Sequence, residues 1–307
     1  MHFSHLGSDG TARFHLHAPD AREVRVAASF LGWDSRAMNR TEHGWFLDLH
    51  AGPGEHEYKL VIDGRWGPDP KNLRRGRDDN SLLSSERGSI THLEFHSPSL
   101  GERRGYVVHL PPGHDSGRRF PTLYLLHGAL DWERTWMEKG GLAETLDRLR
   151  HELIVVMPNE NGGMFRNEMR VADYLSRDLV GHVDFEFPTL TESRHRALDG
   201  LSTGGFTSII LGAWRPNVFG SIGSMSGCHD ARTFEAISAC ASQLRGQRYL
   251  VSAGHGEPHI GTCHGVHDAL RHHGIDSSWT DAPGIHDWPL WREMLPRHLG
   301  FHATNLR

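Results

Sequence analysis

A chain of 307 residues, 37% of them apolar, has material for two cores, and its net charge of −5 leaves no basic field to hold nucleic acid. The opening MHFSHLGSDGTARFHLHAPDA has neither a basic leader nor an apolar stretch of signal-peptide length, and nothing later reaches a membrane span. Three cysteines, Cys228, Cys240 and Cys263, are an odd number that reads as reduced, so the expected compartment is the cytoplasm.

Residues 11–95 read as short strands. ARFHLHA, EVRVAAS, GWFLDLH, HEYKLVI and THLEF alternate apolar and polar residues, and the turn formers APDA, AGPGE and IDGRWGPDP separate them. No apolar run has helical period and length, so a small immunoglobulin-like β-sandwich is the expected way to bury them. The polar segment SSERGS, near Glu86–Ile90, marks the boundary, giving domains of residues 1–89 and 90–307.

From about residue 103 the texture changes. YVVHL, PTLYLLHG, LIVVMPN, HRALDGLS, FGSIGSMSG and RYLVSAG are strand-like, and GLAETLDRLRH, VADYLSRDLVGHV, TGGFTSIILGAW and GVHDALRHHG have helical patterns between them. Strand then helix, repeated, predicts a mainly parallel sheet with helices on both faces.

Within this α/β part, RALDGLSTGGFTS places Ser202 between Gly200 and Gly204 where a strand turns into a helix. A sharp strand-to-helix turn strains the backbone and crowds its neighbours, and glycine relieves the crowding. The helix N-terminus points amides at the same spot, so the Thr203 N–H is an expected oxyanion donor. A nucleophilic hydroxyl needs a base, expected after the last strand; SSWTDAPGIHDWPLW offers His286 there. The orienting carboxylate is expected after the preceding strand, which gives Glu257, with Asp230 in MSGCHD as its rival. The second oxyanion donor is expected from the loop after LYLLHG, at the Ala129 N–H, with Gly128 allowing close approach.

Twenty-five histidines invite a metal reading, above all in HGEPHIGTCHGVHDALRHH, where His255/His259 and His264/His267 have helix-face spacing. Proline and glycine break the first pair and no acidic ligand is placed for a further bond, so neither a metal nor a cofactor is expected. Residues 159–170, with Arg166 or Arg170 available to an anionic substrate, and Trp132, Trp136, Trp288 and Trp291 are candidates for the pocket wall; ordinary packing is the competing role of each.

RRGYVVHLPPGH, FPTLYLLHGALDWERTW, LIVVMPNENG, RHRALDGLSTGGFTSIILGAWRPNVFGSIGSMSG and GIHDWPLWREML resemble the esterase D, enterochelin esterase and feruloyl esterase superfamily, α/β-hydrolases of the carbohydrate esterase family 1 kind, from about Ile90 to Gly300. The resemblance implies the α/β-hydrolase fold, Ser202 as nucleophile, His286 as base and Ala129 with Thr203 as oxyanion donors. The family usually carries Asp where Glu257 stands. ASFLGW, GWFLDLHAGPGEHEYKLVIDGRWGPDP and DDNSLL are similar to a glycogen-binding, isoamylase-type carbohydrate-binding module, as in the AMP-activated kinase β subunit. That similarity implies sugar contacts at Trp33, Lys59, Trp66 and Asn80, with packing as the alternative role for the two tryptophans. The expected activity is a serine esterase acting on a sugar-linked, siderophore-type or small acyl ester. Acyl transfer by the same residues, or α-glucan binding without catalysis, are the alternatives.

Overall fold

Alternating residues in the first part form nine strands: β1 (His5–Leu6), β2 (Thr11–Leu16), β3 (Val24–Ala28), β4 (Ser35–Ala37), β5 (Asn39–Thr41), β6 (Gly44–His50), β7 (Glu55–Ile62), β8 (Arg65–Gly67) and β9 (Ser81–Ser84). The computed structural model describes residues 3–160 and 168–306, with residue 168 as backbone only. One sheet runs β1-β2-β6-β5; the other runs β4-β3-β7-β8, with β9 also paired to β7. The period of two sends Phe14 and Leu16 of β2, Val24 and Val26 of β3, and Tyr58 and Leu60 of β7 into one buried cluster. Phe14 and Tyr58 meet edge to face at 5.1 Å. The two antiparallel sheets and their shared core make the expected β-sandwich.

A separate, eight-stranded sheet is built from β10 (Ser89–Ser97), β11 (Glu102–Leu110), β12 (Thr122–Leu126), β13 (Ile154–Pro158), β14 (Arg196–Gly200), β15 (Ser221–Met225), β16 (Arg248–Gly254) and β17 (Asp276–Ala282). Its order is β10-β11-β13-β12-β14-β15-β16-β17, and the pairs from β13 to β17 are parallel. Every residue of β12 to β15 is buried, as expected of strands covered on both faces. The chain divides into two compact units: Met1–Leu93 with Val107–Arg119, and Glu94–Tyr106 with Phe120–Arg307. The passage at Leu93 falls a few residues beyond the expected boundary, and Val107–Arg119 go with the first unit.

Eight helices accompany the eight-stranded sheet among the described residues: α1 (Thr135–Glu138), α2 (Leu142–Leu149), α3 (Glu168–Asp173), α4 (Leu179–Glu186), α5 (Thr203–Trp214), α6 (Ala231–Cys240), α7 (Ile260–His272) and α8 (Trp288–Asn305). A π-helical turn at Tyr174–Asp178 joins α3 to α4. Helix α5 is apolar around its circumference because Gly204 to Ala213 are all buried. A Cβ on Gly212 would stand 2.8 Å from the end of Ile222, so glycine sets how closely α5 lies on β15. The sequence pattern did not reveal α6 or α8. Helix α8 carries a proline in its first turn, where the missing N–H costs nothing, and Pro296 inside it; Asp287 caps it by accepting from the Leu290 amide. Among the described residues no helix is long and apolar enough to cross a membrane.

Because these strands are parallel, the loops that follow β12, β14, β15, β16 and β17 all emerge at one edge of the sheet. Those loops carry the residues described next.

Candidate active site

Ser202 sits between the end of β14 and the first residue of α5 with φ 53° and ψ −115°, a conformation that non-glycine residues rarely adopt. Its neighbours explain how the strain is accommodated. A Cβ on Gly200 would lie 2.6 Å from the Gly204 carbonyl carbon and 2.8 Å from the Leu126 Cβ; one on Gly204 would be driven into the His127 carbonyl oxygen. Two glycines therefore let strand, turn and helix close on one another, and the Ser202 amide bonds the Met225 carbonyl at 2.9 Å. The side chain is 8% exposed, enough for its hydroxyl to face the sheet edge.

His286 Nε2 lies 2.9 Å from Ser202 Oγ. The same ring meets Glu257 through Nδ1 and Oε1 at 3.5 Å. Among the described residues neither His286 Nδ1 nor Glu257 Oε2 has a hydrogen-bond partner, and such bonds commonly tighten when substrate arrives. Glu257 is fully buried in its side chain, follows β16, and accepts from Ser226 Oγ at 2.6 Å. Ser226, itself at φ 52°, accepts from Trp291 Nε1 at 3.1 Å. Trp291 also packs edge to face on the His286 ring at 5.0 Å. One indole thus supports the acid through a hydroxyl and the imidazole through its face. Asp230, the rival acid, caps α6 and pairs with Arg232 at 2.7 Å.

The thiol of Cys228, after β15, stands 3.4 Å from Ser202 Oγ. Burial pushes that thiol up, but hydrogen bonds with His286 and Ser202 bring it below its ordinary value. The neighbouring Cys228 thiol, and after it the Glu257 carboxylate, raise the His286 imidazole to about 9, against the opposing effect of its burial. Sequence reading missed Ser226 and Cys228; their only signal was their place after a strand that ends at the same sheet edge.

The loop after β12 packs on Ser202. A Cβ on Gly128 would lie 2.6 Å from Leu201 Cδ1 and 3.4 Å from Ser202 Cβ. His127 pins this loop: Nδ1 donates to the Gly128 carbonyl at 2.8 Å and Nε2 accepts from the Glu160 amide at 3.3 Å. Burial holds that imidazole below its usual value, hence neutral. Ala129 is exposed, and Thr203, as the first residue of α5, has an amide with no carbonyl in its own helix to bond. Thr203 follows Ser202 directly, and Ala129 follows Gly128, which packs against Leu201 and Ser202.

Of the four tryptophans, Trp136 is fully buried and donates to the Leu126 carbonyl, Trp288 packs edge to face on both Trp136 and Trp291, and Trp132 is 42% exposed. Lys139 lies over the Trp132 and Trp288 rings at 5.7 and 5.9 Å. Arg170 is committed to the carbonyls of Ser99 and Leu100, whereas Arg166 and most of residues 159–170 lie outside the described residues. His255 pairs with Asp281, His264 with Asp268, and His267 with Ser277 Oγ, so these histidines are spent on local partners.

In the β-sandwich, Lys59 and Trp66 project from the same face, since Trp66 is opposite Val61 across β7 and β8, and Lys59 is two residues from Val61. Trp66 is 56% exposed and Trp33 38%. Asn80 is buried and donates to Glu57 Oε2 at 2.8 Å, so it meets solvent least of the four.

The chain matches the esterase family model over residues 97–302, about two thirds of its length. It is 29% identical over 259 residues to an endo-1,4-beta-xylanase/feruloyl esterase of Xylanibacter ruminicola, covering 72% of this chain and 36% of that one. A separate stretch of 72 residues, 24% of this chain and 52% of the other, is 35% identical to the 5'-AMP-activated protein kinase subunit beta-1 of Sus scrofa. This chain therefore spans about a third and about half of these two curated relatives. The enterobactin esterase of Shigella flexneri shares the fold with a TM-score of 0.61 at 17% identity, covering 97% of this chain and 94% of that one.

Proposed function

The chain belongs to the esterase family, and from that premise we propose that it is a serine carboxylic ester hydrolase working through Ser202, His286 and Glu257. The observation that carries the reading is the 2.9 Å approach of His286 Nε2 to the hydroxyl of a serine held in a strained strand-to-helix turn. His286 takes the Ser202 proton as the hydroxyl oxygen attacks the ester carbonyl. Negative charge gathers on the carbonyl oxygen, where the Thr203 and Ala129 amides receive it. The imidazolium then protonates the departing alcohol, leaving an acyl-enzyme. Water, deprotonated by His286, releases the acid and restores Ser202. Glu257 holds the ring in the tautomer that presents Nε2 to the serine and stabilises the imidazolium. Every proton in this cycle has a place on the chain's own residues.

The substrate is a sugar-linked, siderophore-type or small acyl ester. The relatives' names, feruloyl esterase and enterobactin esterase, support the first two classes. Acyl transfer to an added alcohol would use the same acyl-enzyme. Ser202→Ala is expected to abolish hydrolysis of p-nitrophenyl acetate while leaving the thermal unfolding transition in place; turnover equal to the wild type's would defeat the assignment. A panel of esters varied in acyl and alcohol parts, run with and without an added alcohol, then identifies substrate class and acceptor.

The first unit favours a second, separate role in holding α-glucan. Exposed Trp66 and the neighbouring Lys59 offer a flat apolar surface beside a donor, the chemistry that receives a sugar ring. Retention of the full chain on glycogen, reduced by Trp66→Ala, is the expected result; equal retention of both proteins removes Trp66 from that role. The three free cysteines suit a reducing compartment such as the cytoplasm.

A further inference from the structure

Beneath the nucleophile lies a buried cluster of charged and polar side chains that the hydrolytic cycle does not use. Asp199, three residues before Ser202, is 0% exposed. Its Oδ2 accepts from His298 Nδ1 at 2.7 Å and from His302 Nε2 at 2.8 Å, while Oδ1 accepts from the Gly200 amide at 2.7 Å. The remaining imidazole nitrogens are also matched: His298 Nε2 to Ser252 Oγ on β16, and His302 Nδ1 to Ser221 Oγ on β15, each at 2.8 Å. Gly223 on β15 leaves the space the carboxylate occupies, since a Cβ there would overlap it. Burial alone would push the Asp199 carboxyl up, yet the two imidazoles hold it below the ordinary carboxylate range.

The three groups could be mistaken for a metal site. Their direct bonds at 2.7 and 2.8 Å, with every other nitrogen matched to a hydroxyl, describe a closed hydrogen-bond network instead. What distinguishes the network is what it connects. Asp199 lies on β14, three residues before Ser202. His298 and His302, one turn apart on α8, belong to the helix that begins two residues after His286. The same helix carries Trp291, which touches the His286 ring. Between Trp291 and His298 stands Pro296, which removes a hydrogen bond from the helix and leaves a place where it can bend. A helix that can bend needs an anchor on either side of the bend if its first turn is to keep its position. Trp291 on Ser226 is the first anchor and the two histidines on Asp199 are the second.

We infer that Asp199, gripped by His298 and His302, is a positioning residue that fixes the approach of His286 to Ser202 by tying the strand of the nucleophile to the helix that follows the base. The inference rests on the hydrolase reading of Ser202 and His286. An uncompensated change in the carboxylate lets α8 shift, and the proton-transfer distance shifts with it.

The test uses the full chain with p-nitrophenyl acetate, counting competent sites by stoichiometric labelling with a fluorophosphonate so that kcat is expressed per active site. Asp199→Asn and His302→Ala are expected to lower per-site kcat by about tenfold or more with KM little changed, as misplacement of reacting groups does. His302→Gln, whose amide nitrogen can stand where Nε2 stands, is expected to recover most of that loss. A merely structural role would lower the unfolding temperature and the number of labelled sites but leave the rate per site intact. Per-site kcat within about twofold of wild type in both Asp199→Asn and His302→Ala overturns the inference, whatever happens to stability. Should Asp199→Asn fail to fold, His302→Ala against His302→Gln decides by the same measure. Wild-type turnover abolished by Ser202→Ala, with these variants at full rate, sinks the clamp alone. Turnover that survives Ser202→Ala sinks the hydrolase reading together with it.

Discussion

Replacing Gly204 by alanine is the most direct probe of the turn that carries Ser202. The added methyl would be driven into the His127 carbonyl oxygen and stand 2.9 Å from the Leu126 Cβ and 3.0 Å from the Leu126 carbonyl carbon. Carbon atoms rest about 3.5–4.0 Å apart, so strand end and helix start must separate by roughly 0.5–1 Å. Overpacking of this kind costs about 1–3 kcal/mol, offset in part by alanine's better helix propensity of up to about 1 kcal/mol. The net is about 0–2 kcal/mol, a fall of a few degrees in unfolding temperature at roughly 2–4 °C per kcal/mol. The same displacement acts on the chemistry directly, because His127 begins the loop that ends in the Ala129 amide. A misplacement near 1 Å can cost on the order of 100-fold in rate. The expected result is a protein that melts slightly earlier and hydrolyses p-nitrophenyl acetate about 10- to 100-fold more slowly, with KM little changed. Full kcat in a folded Gly204→Ala protein would refute the close packing of the turn against the β12 loop.

Exchange of each candidate acid separates their roles. Glu257→Gln is expected to lower kcat by on the order of 10²–10⁴, as loss of the orienting carboxylate does in a serine triad, whereas Asp230→Asn, at an exposed cap, keeps near-normal turnover. The opposite ranking would make Asp230 the acid. Because His286 must be neutral to accept the serine proton and is raised to about 9, kcat/KM is expected to climb with pH on a limb centred above the ordinary imidazole value of about 6.5. Cys228→Ala removes the first cause of that rise and should move the limb to lower pH; a pH–rate profile with the limb unmoved refutes the contribution of the thiol. The raised imidazole also adds stability that is complete below the unfolded value and is lost as pH passes through about 9, which denaturant midpoints measured across that window will show.

Alternation and turn chemistry in the sequence were enough to read β2, β3, β6 and β7 of the sandwich, whereas the short β1, β4, β5, β8 and β9 offer too few residues for a period of two to show, and THLEF lies in β10 of the eight-stranded sheet. In the second part, TGGFTSIILGAW coincides with α5 because Ser202 and the glycines mark its start. Helices α6 and α8 escaped notice for physical reasons. α8 places prolines in its first turn and interior, and it uses two histidines as core side chains where apolar residues signal a buried face. Ser202 and His286 were legible because chain order and a sharp turn constrain them. Asp199 was visible only as one residue of an apolar run. Its role depends on partners about a hundred residues away, and no local pattern reports that.

The eight-stranded sheet stops at β17, whose outer row of amides and carbonyls has no neighbouring strand among the described residues. An open row of that kind is a template for any stray extended chain, including another copy of itself. β17 opens on Asp276, which pairs with Arg248, and reaches Asp281 just before its end. Two copies laid antiparallel along this edge would bring the aspartates of one close to those of the other, and like charges facing across strands repel. Acidic side chains at both ends of β17 would thus work against such a pairing, and they would do so without covering the edge.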